Sequence, residues 1–221
     1  MSGASGETVH GPMVPAMAGG VEIPPEPPEV GGRNLTVASR MLCGATTFFF
    51  LAFLFAYFYL RSIDADHMWH PAHVHPKQAL GAAFIACIVL SAASSIVAGR
   101  QMKAGSRGWT APAIAAVALG LIAVALQCIE YTVQHFGPTN GAYASVFCAW
   151  SAFYLIAVLF TMYWLETQVA TELRARRAPA GSEGDIKDPD QLIAPGLDAA
   201  VFYWSFLAAI GVVTYVTLYL L

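Results

Sequence analysis

The chain has 221 residues, of which 57% are hydrophobic and only 11% are charged, and its formal net charge is −3. Soluble globular proteins average about 25% charged residues, and one soluble core of this size could not bury so much apolar surface. The composition therefore predicts an integral membrane protein whose solvent is lipid. Because the sequence has no basic patch, nucleic acid is not expected as a partner.

The N-terminal segment is polar and rich in Pro and Gly. Its first 32 residues contain no Lys or Arg and no apolar run, so they do not have the pattern of a secretory signal peptide. Residues 21–32 (VEIPPEPPEVGG) are acidic as well. We predict a mobile tail over residues 1–38 and a membrane domain over residues 39–221.

Five apolar stretches follow the tail. A helix needs about 20 apolar residues to cross the hydrocarbon layer, and backbone amides that face lipid must be satisfied within their own segment. The predicted spans cover residues 41–60, 79–98, 111–131, 142–165 and 199–221. The sequence thus predicts an all-α polytopic membrane protein, a bundle of five transmembrane helices.

Basic residues alternate between the two sides of the predicted membrane. They precede the first span and fill the second and fourth connections, whereas the first connection has only Arg61 and Lys77 and the third has none. Cytoplasmic loops carry the excess of Lys and Arg in membrane proteins. We therefore expect the N-terminus in the cytoplasm and the C-terminus outside.

Small residues recur at helical spacing in three spans, which predicts where helices approach each other closely. The predicted inward faces are Ala83, Cys87, Ser91, Ser95 and Gly99 in the second span, Ala116, Gly120, Ala123, Gln127 and Glu130 in the third, and Gly141, Ser145 and Ala149 in the fourth. The first span is aromatic on most sides, which suits contact with lipid or with a partner subunit.

No His residue lies in a predicted span, although a membrane haem or a binuclear copper centre needs ligands inside the bundle. The sequence therefore predicts no redox cofactor in this chain. Four imidazoles do lie close together in the first connection, at His67, His70, His73 and His75, where zinc or copper could bind. Because the cluster contains no Asp, Glu or Cys, we interpret it as solvated and predict no metal there. A metal-dependent membrane enzyme that uses this loop is kept as an alternative.

Glu130 is the one ionisable residue well inside a predicted span, and an ionisable group in hydrocarbon is a candidate functional residue. With Gln127 and Tyr131 beside it, we favour a structural role in which hydrogen bonds to Glu130 fix two helices. A stand-alone transporter is disfavoured, because transporters show several intramembrane charges and inverted repeats.

Two segments resemble a known family. Residues 126–131 (LQCIEY), followed by residues 141–147 (GAYASVF), are similar to the LQAxEY…YGSxF stretch of subunit III of haem–copper oxidases. Residues 199–206 (AAVFYWSF) resemble the closing AAxYWHF helix of that family, and residues 48–53 (FFFLAF) fit its SExFFF helix. The resemblance covers all five spans, and five spans fit the shorter bacterial members.

The chain departs from this family where the family's polar groups line a cleft and hold lipid head groups. Thr46 stands in place of a first-helix glutamate, the FHGLH motif reads FYLIA at residues 153–157, and the WHFVD motif reads WSFLA at residues 204–208. The resemblance therefore implies the fold more strongly than the residue roles. The remaining candidates for structural and lipid contacts, none of them catalytic, are Gln127, Glu130, Tyr131, Tyr154 and Trp204.

The resemblance implies an accessory subunit of a respiratory terminal oxidase in a bacterial inner membrane. Its implied role is to support the assembly, stability and lipid binding of an oxygen-reducing, proton-pumping complex. The implied partners are subunits I and II, which would hold the haem and copper, together with phospholipids and a larger respiratory supercomplex. Accessory subunits of a nitric oxide reductase or of a quinol oxidase are alternatives that the sequence leaves open.

Overall fold

The computed structural model describes residues 28–64, 69, 71, 74–177 and 189–221. Within these residues it has five long helices: α1 (Pro28–Ser62), α2 (Gln78–Lys103), α3 (Thr110–Val133), α4 (Ala142–Arg177) and α5 (Pro189–Tyr215). A 3-10 turn at Arg107–Trp109 precedes α3, and a π-helical segment at Val216–Leu220 continues α5. All five helices are long and apolar enough to cross a membrane. The prediction of an all-α bundle of five spans is therefore confirmed.

Two helices extend well beyond the predicted spans. α1 has 35 residues and α4 has 36, whereas about 20 suffice to cross the hydrocarbon layer. α1 begins at Pro28, which is tolerated at a helix start because the first N–H groups have no partner there. Residues 28–38, which the sequence places in the tail, thus form the first turns of α1. Residues 1–27 lie outside the described residues.

α5 is the helix on which most of the others pack. It contacts α1, α2 and α4, while α3 packs against α2 and α4. α1 also contacts α4 but scarcely touches α2. α1 and α2 therefore both pack on α5 with little direct contact between them.

The bundle has two distinct ends. At one of them, called the Leu221 end, Arg61 of α1, Tyr143 of α4 and Leu221 line the same cleft. At the opposite end, called the Lys103 end, Lys103 of α2 and Asp198 of α5 form an exposed ion pair of 2.6 Å. The helices thus alternate in direction along the chain.

The predicted inward face of α3 is confirmed, because all of its residues are buried: Ala116, Gly120, Ala123, Gln127 and Glu130. On α2 the predicted face is buried from Ser91 onward and half-buried at Ala83 and Cys87. Ser91 donates a hydrogen bond of 2.6 Å to the carbonyl oxygen of Ala116. The close approach of α2 and α3 therefore follows from small residues on both helices.

The predicted inward face of α4 is wrong. Ser145 and Ala149 are exposed, and the buried face of α4 is instead made by large side chains such as Tyr143, Phe147 and Trp150. Aromatic rings bury more area than small residues do, so they determine which face of this helix turns inward.

The exposed surface of α1 is dominated by aromatic side chains. Phe48 is 76% exposed and Phe55 is 70% exposed, and Phe49, Phe58 and Tyr59 are exposed as well. The exposed large hydrophobic side chains of α2 and α3 are all aliphatic. α1 therefore presents a surface unlike that of these two helices.

The orientation of the bundle stays a prediction. Because Arg33, Arg40, Arg100 and Lys103 all lie toward the Lys103 end, a reporter that works only outside the cytoplasm should be active when it is fused after Leu221. The same reporter fused after Arg177, at the other end of α4, should be inactive. Both fusions can be assayed in whole cells. A Leu221 fusion that is expressed but inactive would contradict the predicted orientation.

Candidate functional site

Glu130 lies near the end of α3 and has no exposed surface. Its Oε2 accepts a hydrogen bond of 3.0 Å from Gln127 Nε2 and one of 2.6 Å from the hydroxyl of Tyr219. Gln127 is three residues earlier on the same helical face, whereas Tyr219 comes from the π-helical segment after α5. The carboxyl group therefore joins α3 to the end of α5.

The start of α2 closes this contact from a third side. The backbone N–H of Lys77 faces the Glu130 carboxyl group, although the second oxygen, Oε1, has no partner that meets hydrogen-bond geometry. The ring of Tyr219 lies on Gly81, where an added Cβ would overlap the ring. Gln127, Glu130, Tyr219 and Gly81 are called the Glu130 cluster below. The cluster brings the ends of α3 and α5 and the start of α2 together.

The π-helical segment is what turns Tyr219 toward Glu130. A π-helix bonds each N–H five residues back, as the N–H of Leu221 does to the carbonyl oxygen of Val216 at 3.1 Å. Three consecutive residues of the segment, Thr217, Leu218 and Tyr219, are buried. The wider turn thus directs more side chains into the bundle than one face of an α-helix allows.

Side chains from α2 and α4 satisfy the last carbonyl groups of this segment. The hydroxyl of Tyr143 donates to the carbonyl oxygen of Leu218, and Gln78 Nε2 donates to that of Tyr219 at 3.2 Å. The final carbonyls of any helix lack partners within the helix. These contacts therefore hold the end of α5 against the beginnings of α2 and α4.

Tyr131 follows Glu130 in the chain but belongs to a different contact. Its hydroxyl donates a hydrogen bond of 2.7 Å to Ser151 Oγ on α4. Successive residues of a helix do not face each other, so Tyr131 turns toward α4 while Glu130 turns toward α5. The two predicted residues thus join α3 to two different helices.

Tyr154 and Trp204 lie in further contacts, away from the Glu130 cluster. Tyr154 on α4 donates a hydrogen bond of 3.0 Å to the carbonyl oxygen of Leu207 on α5. Trp204 Nε1 on α5 donates one of 3.1 Å to Ser91 Oγ on α2. The five candidate residues therefore do not form one cleft. Glu130, Tyr131, Tyr154 and Trp204 each connect two elements of the bundle, whereas Gln127 donates to Glu130 within α3.

Thr46, where the resemblance places a glutamate, is buried in α1. Its Oγ1 and the hydroxyl of Tyr203 on α5 share a hydrogen bond of 3.0 Å. The position therefore joins α1 to α5 through two neutral hydroxyl groups.

The His cluster of the first connection falls mostly outside the described residues. His67, His70 and His73 are not described, and His75 is exposed. Over the described ranges, no three His, Cys, Asp or Glu side chains are grouped so that they could hold a metal ion. The predicted lack of a metal at this loop stays a prediction.

Sequence reasoning missed Tyr219 and Gly81 as members of the Glu130 cluster. A signal for Tyr219 exists, because a buried acid near one helix end needs a donor at the same depth, and Tyr219 is near the end of the last span. No comparable signal marks Gly81, since its role depends on where the Tyr219 ring lies. In this cluster the buried Glu130 carboxyl group accepts hydrogen bonds from Gln127 and Tyr219. Such a buried hydrogen-bond network holds the end of α3 against the end of the chain's last helical segment.

Comparison with known proteins agrees with this architecture. The profile of the family described as Cytochrome c oxidase subunit III matches residues 32–221. The chain is 27% identical over 182 residues to cytochrome c oxidase subunit 3 of Branchiostoma lanceolatum, covering 78% of this chain and 63% of that protein. It is 25% identical over 193 residues to the protein of the same name from Formosania lacustris, covering 85% and 69%.

The chain thus spans about two thirds of the length of the curated relatives that it matches. The matched residues include all five membrane-spanning helices almost completely. This chain belongs to the cytochrome c oxidase subunit III family.

Proposed function

We propose that the chain is an accessory subunit of a respiratory haem–copper terminal oxidase in a bacterial inner membrane. It supports the assembly, stability and lipid binding of a complex that reduces oxygen and moves protons. The observation that carries the proposal is the family match over residues 32–221, which runs through every span. The haem and copper are held by partner subunits I and II.

The internal contacts of the bundle suit a supporting role. Glu130 Oε2, Trp204 Nε1 and the hydroxyl of Tyr154 each hydrogen-bond a group on another element of the bundle. Trp150 Nε1 on α4 likewise donates a hydrogen bond of 3.0 Å to Thr214 Oγ1 on α5. Interhelical hydrogen bonds in membranes average about 0.6 kcal/mol each, so several at different depths make a rigid body. A rigid body offers a stable surface to larger subunits.

The exposed aromatic surface of α1 is the proposed contact with subunit I. Phe48, Phe49 and Phe55 offer large rigid areas, and aromatic residues are enriched in the buried parts of protein interfaces. The aliphatic surfaces of α2 and α3 are typical of contact with lipid chains. Phospholipids cover the remaining lipid-facing surface of the chain. The oxidase as a whole assembles into a larger respiratory supercomplex.

Co-purification under mild detergent tests the proposal. A tagged chain should bring subunits I and II with it, together with their haem absorption. Phe48→Ala with Phe55→Ala should lower the yield of these subunits, because two exposed rings are removed from the interface. Leu121→Ala with Ile122→Ala, two exposed residues of α3, is the matched control and should not lower it.

Other results of the same experiment favour the alternatives. If the chain instead purified with the catalytic subunit of a nitric oxide reductase, it would be assigned to that complex. A stoichiometric metal in the isolated chain that disappears when His67, His70, His73 and His75 are all changed to Ser would favour the metal-dependent enzyme.

A further inference from the structure

A large cleft opens at the Leu221 end of the bundle. Its volume is about 700 Å³, and it lies among the end of α1, the first connection, the starts of α2 and α4, and the end of α5. Clefts of roughly 300–1,000 Å³ are typical of sites that hold ligands much larger than a single inorganic ion. The cleft is therefore large enough for a few residues of another protein.

The charge of this cleft runs against the charge pattern of the rest of the chain. Of the 11 Lys and Arg residues, all but Arg61 and Lys77 precede the first predicted span or belong to the second and fourth connections and the helix ends beside them. Both exceptions line this one cleft, Arg61 from the last turn of α1 and Lys77 from the residue before α2. Basic residues are depleted on the outer side of membrane proteins, so two that meet in one cleft at the predicted outer end indicate an acidic occupant.

Neither of these charges is paired with an acidic side chain in the part of the chain that the structure describes. Arg61 and Lys77 are exposed, and the described lining of the cleft includes no Asp or Glu. Asp64, which is near Arg61 in sequence, does not line the cleft, and its Oδ1 accepts a hydrogen bond of 3.1 Å from the backbone N–H of Trp69. Arg binds a carboxylate through its fork of donors and Lys binds one as a point charge, so the cleft can pair two carboxylates of an occupant.

The floor of the cleft is aromatic and is fixed by the fold. The ring centroid of Trp69 is 5.1 Å from that of Tyr57 and 5.8 Å from that of Tyr143, and both pairs are edge-to-face. The backbone N–H of Tyr143 donates a hydrogen bond of 3.2 Å to the carbonyl oxygen of Trp69, which ties the first connection to α4. Trp, Tyr and Arg are the residues most enriched at the energetic centres of protein interfaces, and a surface that is already ordered loses little entropy when a partner docks.

The first connection places part of the cleft wall beyond the ends of the helices. Trp69, His75 and Pro76 line the cleft and belong to this connection rather than to a span. A protein segment outside the membrane can therefore reach the two charges. The exposed ring of Phe58 lies one turn before Arg61 on the same helical face, so the cleft continues the aromatic surface of α1 that is the proposed contact with subunit I.

We infer that this cleft receives an acidic extramembrane segment of a neighbouring oxidase subunit, in which two carboxylates pair with Arg61 and Lys77 while the segment packs over the aromatic floor. The inference rests on the proposed function, because it names one contact through which the chain is held in the oxidase. It adds an electrostatic contact outside the membrane to the apolar contact that is proposed for α1 within it.

The experiment measures how tightly the full purified chain rebinds, in detergent, to oxidase from which this chain has been removed. Arg61→Gln with Lys77→Gln should raise the Kd about fivefold to 30-fold at low salt, because one exposed ion pair contributes a factor of up to about five. At about 1 M salt the difference should largely disappear, since screening then acts over about 3 Å.

Two further double variants separate the effect of these charges from other effects. Arg61→Lys with Lys77→Arg keeps both charges and should bind much more tightly than the glutamine variant. Arg174→Gln with Arg177→Gln removes two exposed charges at the far end of α4, outside this cleft, and should bind like the wild type. Equal affinity of the wild type and the Arg61, Lys77 glutamine variant would overturn the inference. Equal losses in the two glutamine variants would overturn it too, because they would indicate a general effect of charge.

Carbodiimide coupling of the intact complex identifies the occupant. The reagent joins a lysine amine to a carboxyl group in direct contact with it, so Lys77 should be joined to an Asp or Glu of another subunit, and mass spectrometry of the linked peptides locates that residue. Coupling of Lys77 to no other subunit would contradict the inference. A defect of the glutamine variant that appears only when phosphatidylglycerol is added would contradict it as well, since a lipid would then be the occupant.

Failure of the proposed function gives a different pattern of results. If the wild-type chain does not rebind the oxidase at all, the proposed function is wrong and the inference fails with it. If the wild type rebinds and the Arg61, Lys77 glutamine variant binds equally well, only the inference is wrong.

Discussion

Replacing Glu130 with leucine should strongly reduce the amount of assembled complex, whereas Glu130→Gln should assemble and support oxygen reduction at close to the normal level. Leucine leaves the donors of Gln127 and Tyr219 without an acceptor in a site that water does not reach. Each buried donor left unsatisfied costs about 1–3 kcal/mol, a large part of the 5–15 kcal/mol that typically stabilises a protein. Glutamine keeps a carbonyl oxygen for both donors. Yield of the complex and oxygen uptake are the measurements.

A pair of glycine variants tests the same contact without changing the acid. Gly81→Ala should mimic the leucine variant, because its methyl group would overlap the ring of Tyr219, which is stiff and is held by Glu130. Gly120→Ala is the control. Its methyl group would meet the thioether of Met162, whose flexible end can move aside, so the loss should be smaller.

Proton pumping distinguishes a structural carboxyl group from a protonic one. If Glu130→Gln assembled normally but abolished pumping, Glu130 would take part in proton movement and its structural role would be wrong. Pumping that survives in the glutamine variant and is lost only together with assembly in the leucine variant supports the structural role.

The number of helices and the α3 face could be predicted from the sequence because both depend on local rules. Twenty apolar residues have one economical conformation in lipid, and the repeat from Ala116 to Glu130 marks a face on which backbones can approach. The spacing of Ser145 and Ala149 on α4 follows the same rule, but the inward face that it predicts is wrong, because both residues are exposed. Small residues permit a close approach, but Phe147 and Trp150 gain more by burial, so they determine the face.

The partners of the candidate residues could not be predicted, because they depend on how distant segments turn. Tyr219 reaches Glu130 across 89 positions of the chain, and a π-helical segment sets its direction. An α-helical continuation would rotate that side chain to another face. Tyr131 illustrates the opposite difficulty, since it is adjacent to Glu130 in sequence but bonds Ser151 on a different helix.

Removing the whole subunit should change the lifetime of the oxidase more than its chemistry. The proposed haem and copper sites lie in other chains, so a preparation without this chain should keep their absorption spectra and turn over at close to the normal initial rate. It should inactivate sooner, because the surfaces that this chain covers become exposed to detergent or to mobile lipid. Oxygen uptake in the first minute, compared with the total turnovers before inactivation, measures the two effects separately.

Two features of the chain make a supporting role the expected one. Thr46 shares its hydroxyl hydrogen bond with Tyr203, so the position where the resemblance places a carboxylate holds no charge that could gather protons. The aromatic surface of α1 acts instead through the contact area that it offers to a neighbouring subunit. Adding the purified subunit back should therefore restore the lifetime, and the Phe48, Phe55 variant should restore it less well than the Leu121, Ile122 control. An immediate and complete loss of uptake at unchanged haem content would mean that the chain takes part in the reaction, which would contradict the supporting role.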